Sequence, residues 1–340
     1  MEVPGLDLHA FRRWYDGERP GEIAGDLSAS VIAGGRSNLT YEVTDGTSWW
    51  IVRRPPLGHV QATAHDMGRE YTAMSALAGT DVPVPRTYAH CADESVLGAP
   101  FYVMERVDGV AIRTAQELDD RGTERTEAIA GRLVDVLAAL HAVDPEQVGL
   151  SEFGHPQGFL ERQVRRWGKQ LEGSKTREHP DADELHRLLA EQVPADDPSV
   201  LGIVHGDYRL DNCLVGSDDV IHAVVDWEMA TLGDTRTDLA LMMVYDQLSA
   251  QAGGDIVSDV AKARGYPGNA QQLARYAEAS GHEPGDMGWH LALAYFKLAV
   301  ILEGIHYRYL KGQTVGEGFD RIGEGFDLIV ATGLDALKEQ

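Results

Sequence analysis

Apolar and polar positions follow two rhythms along this chain, and the change falls near residue 105. Before it, short stretches alternate with period two, the signature of half-buried strands. Residues 6–15 could form a short leading helix. From Ser30 to Thr44 the pattern is strand, glycine turn, strand: Val31 and Ile32 enter, Gly34 and Gly35 break, and Thr40, Tyr41 and Val43 leave. Another strand runs from Trp49 to Arg53 and is stopped by Pro55 and Pro56. Alternation puts Ile51 and Arg53 on one face and Arg54 on the other. Thr63 or Asp66 can cap a helix running to about Ala78, with Gly79 as its stop. Met67, Tyr71, Met74 and Ala78 mark its apolar face, and Glu70 lies beside that face. Tyr88 to Cys91 and Phe101 to Met104 read as strands about a turn at Gly98 to Pro100.

Glu105 to Gly109 is polar and ends in glycine, which predicts a linker between lobes. From about residue 111 the spacing becomes helical. Thr123, Glu124 and Glu127 open a helix whose apolar residues are Ile129, Leu133, Val136, Leu137 and Leu140. His141 closes it, in a packing or capping role. Arg162, Arg165, Arg166 and Lys169 recur at i, i+3, i+4 and i+7 and predict one basic stripe. A solvated face paired with nearby acids is favoured for it over an anion site. Residues 259–338 read as several amphipathic helices. Trp289, His290, Tyr295, His306 and Tyr307 are candidates to line a pocket there, with core packing expected for any single one.

Between these regions lies the stretch Val204 to Asp226. Asp207 and Asn212 sit five apart, and Asp226 follows fourteen residues after Asn212. Cys213 to Val215 and Ile221 to Val225 are short apolar runs separated by turn composition at Gly216 to Asp219. A hairpin there would return Asp226 to the side of Asn212. Both could then hold one divalent metal while Asp207 faces an acceptor.

Composition adds exclusions. The 340 residues predict two domains or one large bilobal unit, and 43% hydrophobic with 25% charged content is that of a globular chain with a sizeable core. No uninterrupted apolar run of membrane-spanning length is seen, and the N-terminus lacks the basic start and apolar core of a secretory signal. Two cysteines, Cys91 and Cys213, make neither a disulfide framework nor a metal set, so a reducing, cytoplasmic setting is expected. A formal charge of −24 argues against nucleic acid or anionic lipid as partner. It does not count against a nucleotide, which needs only a local basic patch.

The motif HGDYRLDN with its following Asp226 resembles the aminoglycoside-phosphotransferase-like branch of the kinase superfamily, whose pattern is HGDxxxxN and then a metal-binding Asp. The resemblance implies an α+β, bilobal protein-kinase-like fold: residues 1–104 as a nucleotide-covering lobe, 105–110 as hinge and 111–340 as a mostly helical lobe. It implies ATP and Mg2+, with Asp207 as catalytic base and Asn212 and Asp226 as metal ligands; loop position alone, two past the base, places Arg209 to meet the γ-phosphate. Gly34, Gly35, Ser37 and Asn38 would cover the phosphates, and Glu105 and Val107 would meet the adenine through their main chains. Arg53 stands where the family carries a phosphate-gripping Lys, with Glu70 as its partner; an Arg there is a departure, being longer and planar. Asp238, just before an apolar helical run, would cap that helix or anchor the catalytic loop, His205 would brace the loop, and Glu228 could reach the metal or a water on it.

The stretches GGRSNLTY, RRPPLGHV, PVPR, GAPFYVMERVDG and DWEMATLGD are most like kinase-like domains found alone in actinobacteria or fused to acyl-CoA dehydrogenases. That likeness implies a hydroxyacyl or acyl-CoA-type acceptor. The rival readings are an aminoglycoside acceptor, whose ammonium groups suit an acidic surface, and a nucleotide-binding pseudokinase, which the departure at Arg53 keeps open.

Overall fold

A computed structural model describes residues 3–32, 38–57, 66–251, 258–313 and 322–338. The chain divides into two compact units, one comprising Met1–Val110 with His222–Ala230, the other Ala111–Ile221 with Thr231–Gln340.

The first unit begins with α1 (Leu8–Glu18), capped by Asp7, whose carboxylate accepts from the His9 and Ala10 amides. It continues through β1 (Ser28–Val31), β2 (Leu39–Thr44), β3 (Trp49–Arg54), α2 (Met67–Leu77), β4 (Thr87–Cys91), α3 (Glu94–Leu97) and β5 (Phe101–Glu105). The strands form one antiparallel sheet in the order β1-β2-β3-β5-β4. Alternation in β2 buries Tyr41 and Val43 completely. They join Phe11, Tyr15, Trp50, Val52 and Phe101 in the core beneath the sheet, with Trp14 edge-on to Phe101 at 4.6 Å between centroids. Arg54, on the opposite face of β3 from Arg53, is buried and donates to the carbonyls of Gly5 and Leu97. The short helix α3 was not predicted. It lies within a stretch of turn composition, where the Asp93 cap and a left-handed Gly98 close a single turn.

The second unit holds α4 (Ala115–Asp119), α5 (Thr123–Ala142), α6 (Phe159–Ser174), α7 (Pro180–Glu191), β6 (Leu201–Val204), β7 (Cys213–Val215) and the start of β8 (Ile221–Val224), along which the chain passes into the first unit. It resumes with β9 (Thr231–Asp234), α8 (Arg236–Gln251), α9 (Asn269–Ser280), α10 (Gly288–Leu310) and α11 (Phe326–Ala336). β6 and β9 pair antiparallel, with Val204 opposite Thr231. β7 and β8 make a two-stranded ribbon, the hairpin foreseen from the sequence. Its turn is closed by the Gly216 amide donating to the Val220 carbonyl, and Asp219 there adopts φ 63. Arg121 and Arg125 hold the Asp219 carboxylate at 3.3 and 2.6 Å.

By length and composition α10 could cross a membrane, but Lys297, Glu303 and Arg308 interrupt its apolar run, and 72% of its most apolar part is buried inside the protein, as in a core helix. Trp289, His290 and Tyr295 are accordingly core residues: Trp289 donates to the Leu189 carbonyl, His290 lies 3.2 Å from Asp234, and the Tyr295 hydroxyl donates to Gln247. His306 and Tyr307 are partly buried.

Candidate active site

In the second unit, β6 delivers the chain at Val204 into a loop running from His205 to Cys213. Gly206 sits there at φ +86, a backbone state that favours glycine. The amides of His205 and Gly206 donate to the two oxygens of Asp238 at 2.6 and 2.7 Å. Asp238 lies in the first turn of α8 and is 1% exposed. Burial alone would raise its carboxyl, but His141 and the loop amide outweigh that and keep it below the usual range. His141, expected only to pack or cap, therefore has a specific partner: Nε2 is 3.4 Å from Asp238, and Nδ1 is 2.7 Å from the Tyr276 hydroxyl. Tyr208 is fully buried and donates to the Leu133 carbonyl of α5 at 2.7 Å, fixing the middle of the loop. His205, also fully buried, accepts the Asp207 amide at Nδ1.

This scaffold presents Asp207, whose side chain is 27% exposed. Oδ1 accepts from the Tyr245 hydroxyl at 3.0 Å, and Oδ2 accepts from Asn212 Nδ2 at 3.1 Å. The same Asn212 nitrogen donates to the Asp207 carbonyl at 2.8 Å. Both of these partners are acceptors, so the amide orientation is fixed and Oδ1 of Asn212 is left uncommitted by them. Arg209 lies 3.6 Å from Asp207 Oδ2 and 3.4 Å from Asp211 Oδ2, its guanidinium over the Tyr245 ring at 4.9 Å. Burial, with the Asp207 charge adding to it, pushes the Tyr245 phenol well above its ordinary range, so it stays a donor. The result is a carboxylate anchored at both oxygens yet open to a proton-bearing acceptor, the geometry a general base requires.

In the first unit, Arg53, Glu70 and Asp226 come together. Arg53 Nη2 lies 2.6 Å from Asp226 Oδ1, and its Nε lies 3.2 Å from Glu70 Oε2. Glu70 is fully buried on the packed face of α2. Tyr102, directly across from Arg53 on β5, donates to Glu70 Oε2 at 2.9 Å. Asn38, 4% exposed, donates to both Glu70 and Glu228 at 3.2 Å. Burial, opposed by Arg53 and reinforced by Asp226, pushes the Glu70 carboxyl up to about 7. Burial also works against the Arg53 charge, but Tyr102, Glu70 and Asp226 hold the guanidinium charged, above its ordinary range. Asp226 adopts a left-handed conformation, φ 69, which turns the chain out of β8 into a 3-10 turn over Trp227–Met229. One oxygen each of Glu70, Asp226 and Glu228 lies within 4.8 Å of the others. All three are hard oxygen donors, the set Mg2+ prefers.

Glu105 ends β5, exposed. Its amide donates to the Arg86 carbonyl and its carboxylate accepts the Arg86 amide. Val107 follows, partly buried. Gly34, Gly35 and Ser37 lie outside the described residues. In the basic stripe, Arg162 is drawn back to the carbonyls of His155 and Gln157, whereas Arg165, Arg166 and Lys169 are exposed. Three residues at these clusters had no local signal in the sequence: Tyr245, Lys297, whose Nζ donates to the Gly206 carbonyl at 2.6 Å, and Tyr102. Only Tyr102 could have been found, by pairing the strand of Arg53 with its neighbour.

An antiparallel sheet unit with the buried Arg53–Glu70 pair, and a helical unit with an anchored HGD loop, define the class of kinase-like phosphotransferase folds. A family model described as the phosphotransferase enzyme family matches residues 28–286. The chain belongs to that family. A crystal structure of a putative aminoglycoside phosphotransferase from Ralstonia eutropha is 33% identical with TM-score 0.85, each chain covered to 98%. A thermostable mutant of an aminoglycoside phosphotransferase in ternary complex with ADP and hygromycin B shares the fold at TM-score 0.59 and 16% identity, with 91% of this chain and 94% of that one covered. Among curated proteins, acyl-CoA dehydrogenase family member 11 of Gallus gallus is 30% identical over 94% of this chain, and a probable acyl-CoA dehydrogenase of Arabidopsis thaliana is 32% identical over 92%. The chain spans only about two fifths of their length, 41% and 40%.

Proposed function

We propose that this chain transfers the γ-phosphate of ATP to a hydroxyl group of a small hydroxyacyl or acyl-CoA-type molecule, with Mg2+ required. The observation that carries the reading is the Asp207 carboxylate, held at one oxygen by Tyr245 and at the other by Asn212 in a loop pinned to Asp238. In this reading Asp207 orients the acceptor hydroxyl and takes its proton, an effect of about 10²–10⁴ in rate. Asn212 and Asp226, with Glu228 nearby, would hold Mg2+, which when bound neutralises charge on the phosphates. Arg53 would grip the nucleotide phosphates from its place between Glu70 and Asp226, and Arg209 would face the γ-phosphate. The nucleotide base would meet the main chain of Glu105 and Val107.

The acyl class of acceptor is supported by the names of the curated relatives, which are acyl-CoA dehydrogenase family proteins. The exposed Arg165, Arg166 and Lys169 would suit its anionic part. The formal charge of −24 and the aminoglycoside phosphotransferase neighbours favour a second reading, a polycationic antibiotic as acceptor. The test is purified protein with Mg2+ and ATP against hydroxyacyl-CoA esters and aminoglycosides, read by mass spectrometry. A phosphorylated hydroxyacyl product is expected. Phosphorylated aminoglycoside alone would move the assignment to the second reading, and ATP binding with no product anywhere would leave a pseudokinase.

A further inference from the structure

Lys297 stands on α10, and Trp167 of α6 lies under its ammonium, 5.5 Å to the ring centroid. Its Nζ donates to the Gly206 carbonyl at 2.6 Å. The amide on the other side of Gly206 is already held by Asp238. The peptide carrying the Gly206 carbonyl is the one that leads into Asp207, so its rotation would swing the Asp207 carboxylate. Gly206, at φ +86 and without a side chain, offers little resistance of its own to that rotation.

We propose that Lys297 is a positioning residue for the Asp207 loop: its ammonium fixes the Gly206 carbonyl and, through it, the aim of the Asp207 carboxylate. The kinetic consequence rests on the phosphotransferase reading; the loop geometry does not. Charge is part of the device, because an ammonium–carbonyl hydrogen bond is roughly twice as strong as its neutral counterpart. The charged groups that face Lys297 are Asp207 in the loop, Asp238 on α8 and Arg166 on α6. Burial lowers its pKa below the ordinary 10.5; the two carboxylates oppose that and Arg166 assists it. The ammonium is therefore lost at a lower pH than an exposed lysine would lose it.

Two measurements on Lys297→Met and Lys297→Arg test this. The first is amide hydrogen exchange at pH 7.5 in a peptide spanning the Asp207 loop, which needs no turnover. Lys297→Met should speed exchange there by about tenfold with the rest of the second unit unchanged, and Lys297→Arg should stay near wild type. The second is the pH profile of ADP release from Mg-ATP. Wild type should lose kcat on the alkaline side, Lys297→Arg should not lose it over the same range, and Lys297→Met should be about tenfold low throughout with KM for Mg-ATP little changed. Unchanged loop exchange in Lys297→Met, or an identical alkaline fall in Lys297→Arg, overturns the proposal. Should Lys297→Met not fold, the arginine profile decides. Absence of any ADP release from wild type counts against the phosphotransferase reading, and the exchange measurement still decides the role of Lys297.

Discussion

Arg53 Nη2 sits 2.6 Å from Asp226 Oδ1 while its Nε sits 3.2 Å from Glu70, so one guanidinium joins strand β3, helix α2 and the segment after β8. A lysine at this position would offer a point charge; the planar fork of arginine reaches both carboxylates at once. Arg53 thus carries one positive charge to two carboxylates.

Removing that charge should be expensive. Arg53→Met leaves Glu70, 0% exposed, without its cation, and breaking a buried pair from one side costs about 3–5 kcal/mol. The loss should be largest at pH 8, where Glu70 is ionised, and smaller at pH 6, where a carboxyl with a pKa near 7 takes up a proton. Arg53→Lys should lose less at both. Urea denaturation at the two pH values measures each difference.

Asp238 should matter at acid pH. Its folded pKa lies below the unfolded value of about 3.8, so its contribution is complete above that value and disappears as pH falls through the folded one. Asp238→Asn removes one of the two acceptor oxygens that satisfy the His205 and Gly206 amides, and leaving one unmet costs about 1–3 kcal/mol. The variant should be less stable than wild type at pH 7 and closer to it at pH 3, by thermal melting. Its transfer rate should fall with stability, because the loop that aims Asp207 is held there.

Asp246 on α8 carries the opposite sign. It is buried, accepts from Gln272 Nε2 at 2.7 Å and from the Tyr266 hydroxyl, and burial pushes it up to about 7. Between about pH 4 and 7 the native state keeps a proton that the unfolded chain has released, so stability falls as pH rises through that window and is flat above it. Asp246→Asn should remove the share of that slope that Asp246 contributes and leave the share of Glu70, whose carboxyl is also pushed up to about 7. Above pH 7 the variant should exceed wild type by up to about 4 kcal/mol in denaturant midpoints, with the two close together at pH 4.

The Asp207 loop was legible in the sequence because its spacing is local: Asp207, Asn212 and the ribbon that follows lie within one stretch of chain. Glu70 was legible as a helix residue near an apolar face, but its complete burial was not. That burial depends on Tyr102 and Asn38, which reach it from elsewhere in the fold. His141 and Tyr245 belong to helices whose periodicity already explains them as packing residues. Their contacts with Asp238 and Asp207 span about a hundred and about forty positions of chain and leave no trace in spacing. Lys297 was hidden for the same reason, one cation within an otherwise apolar helix. α3 was missed because a four-residue helix has no periodicity to read.

The most direct measurement is transfer of the γ-phosphate from labelled ATP by wild type, Asp207→Asn and Asp226→Asn, in Mg2+ with the acceptor panel, each protein checked for native folding. The account predicts that wild type transfers the label and that Asp207→Asn slows transfer by about 10²–10⁴ without loss of ATP binding. It also predicts that Asp226→Asn is inactive at Mg2+ concentrations that saturate wild type. Near-normal turnover by either folded variant would contradict it.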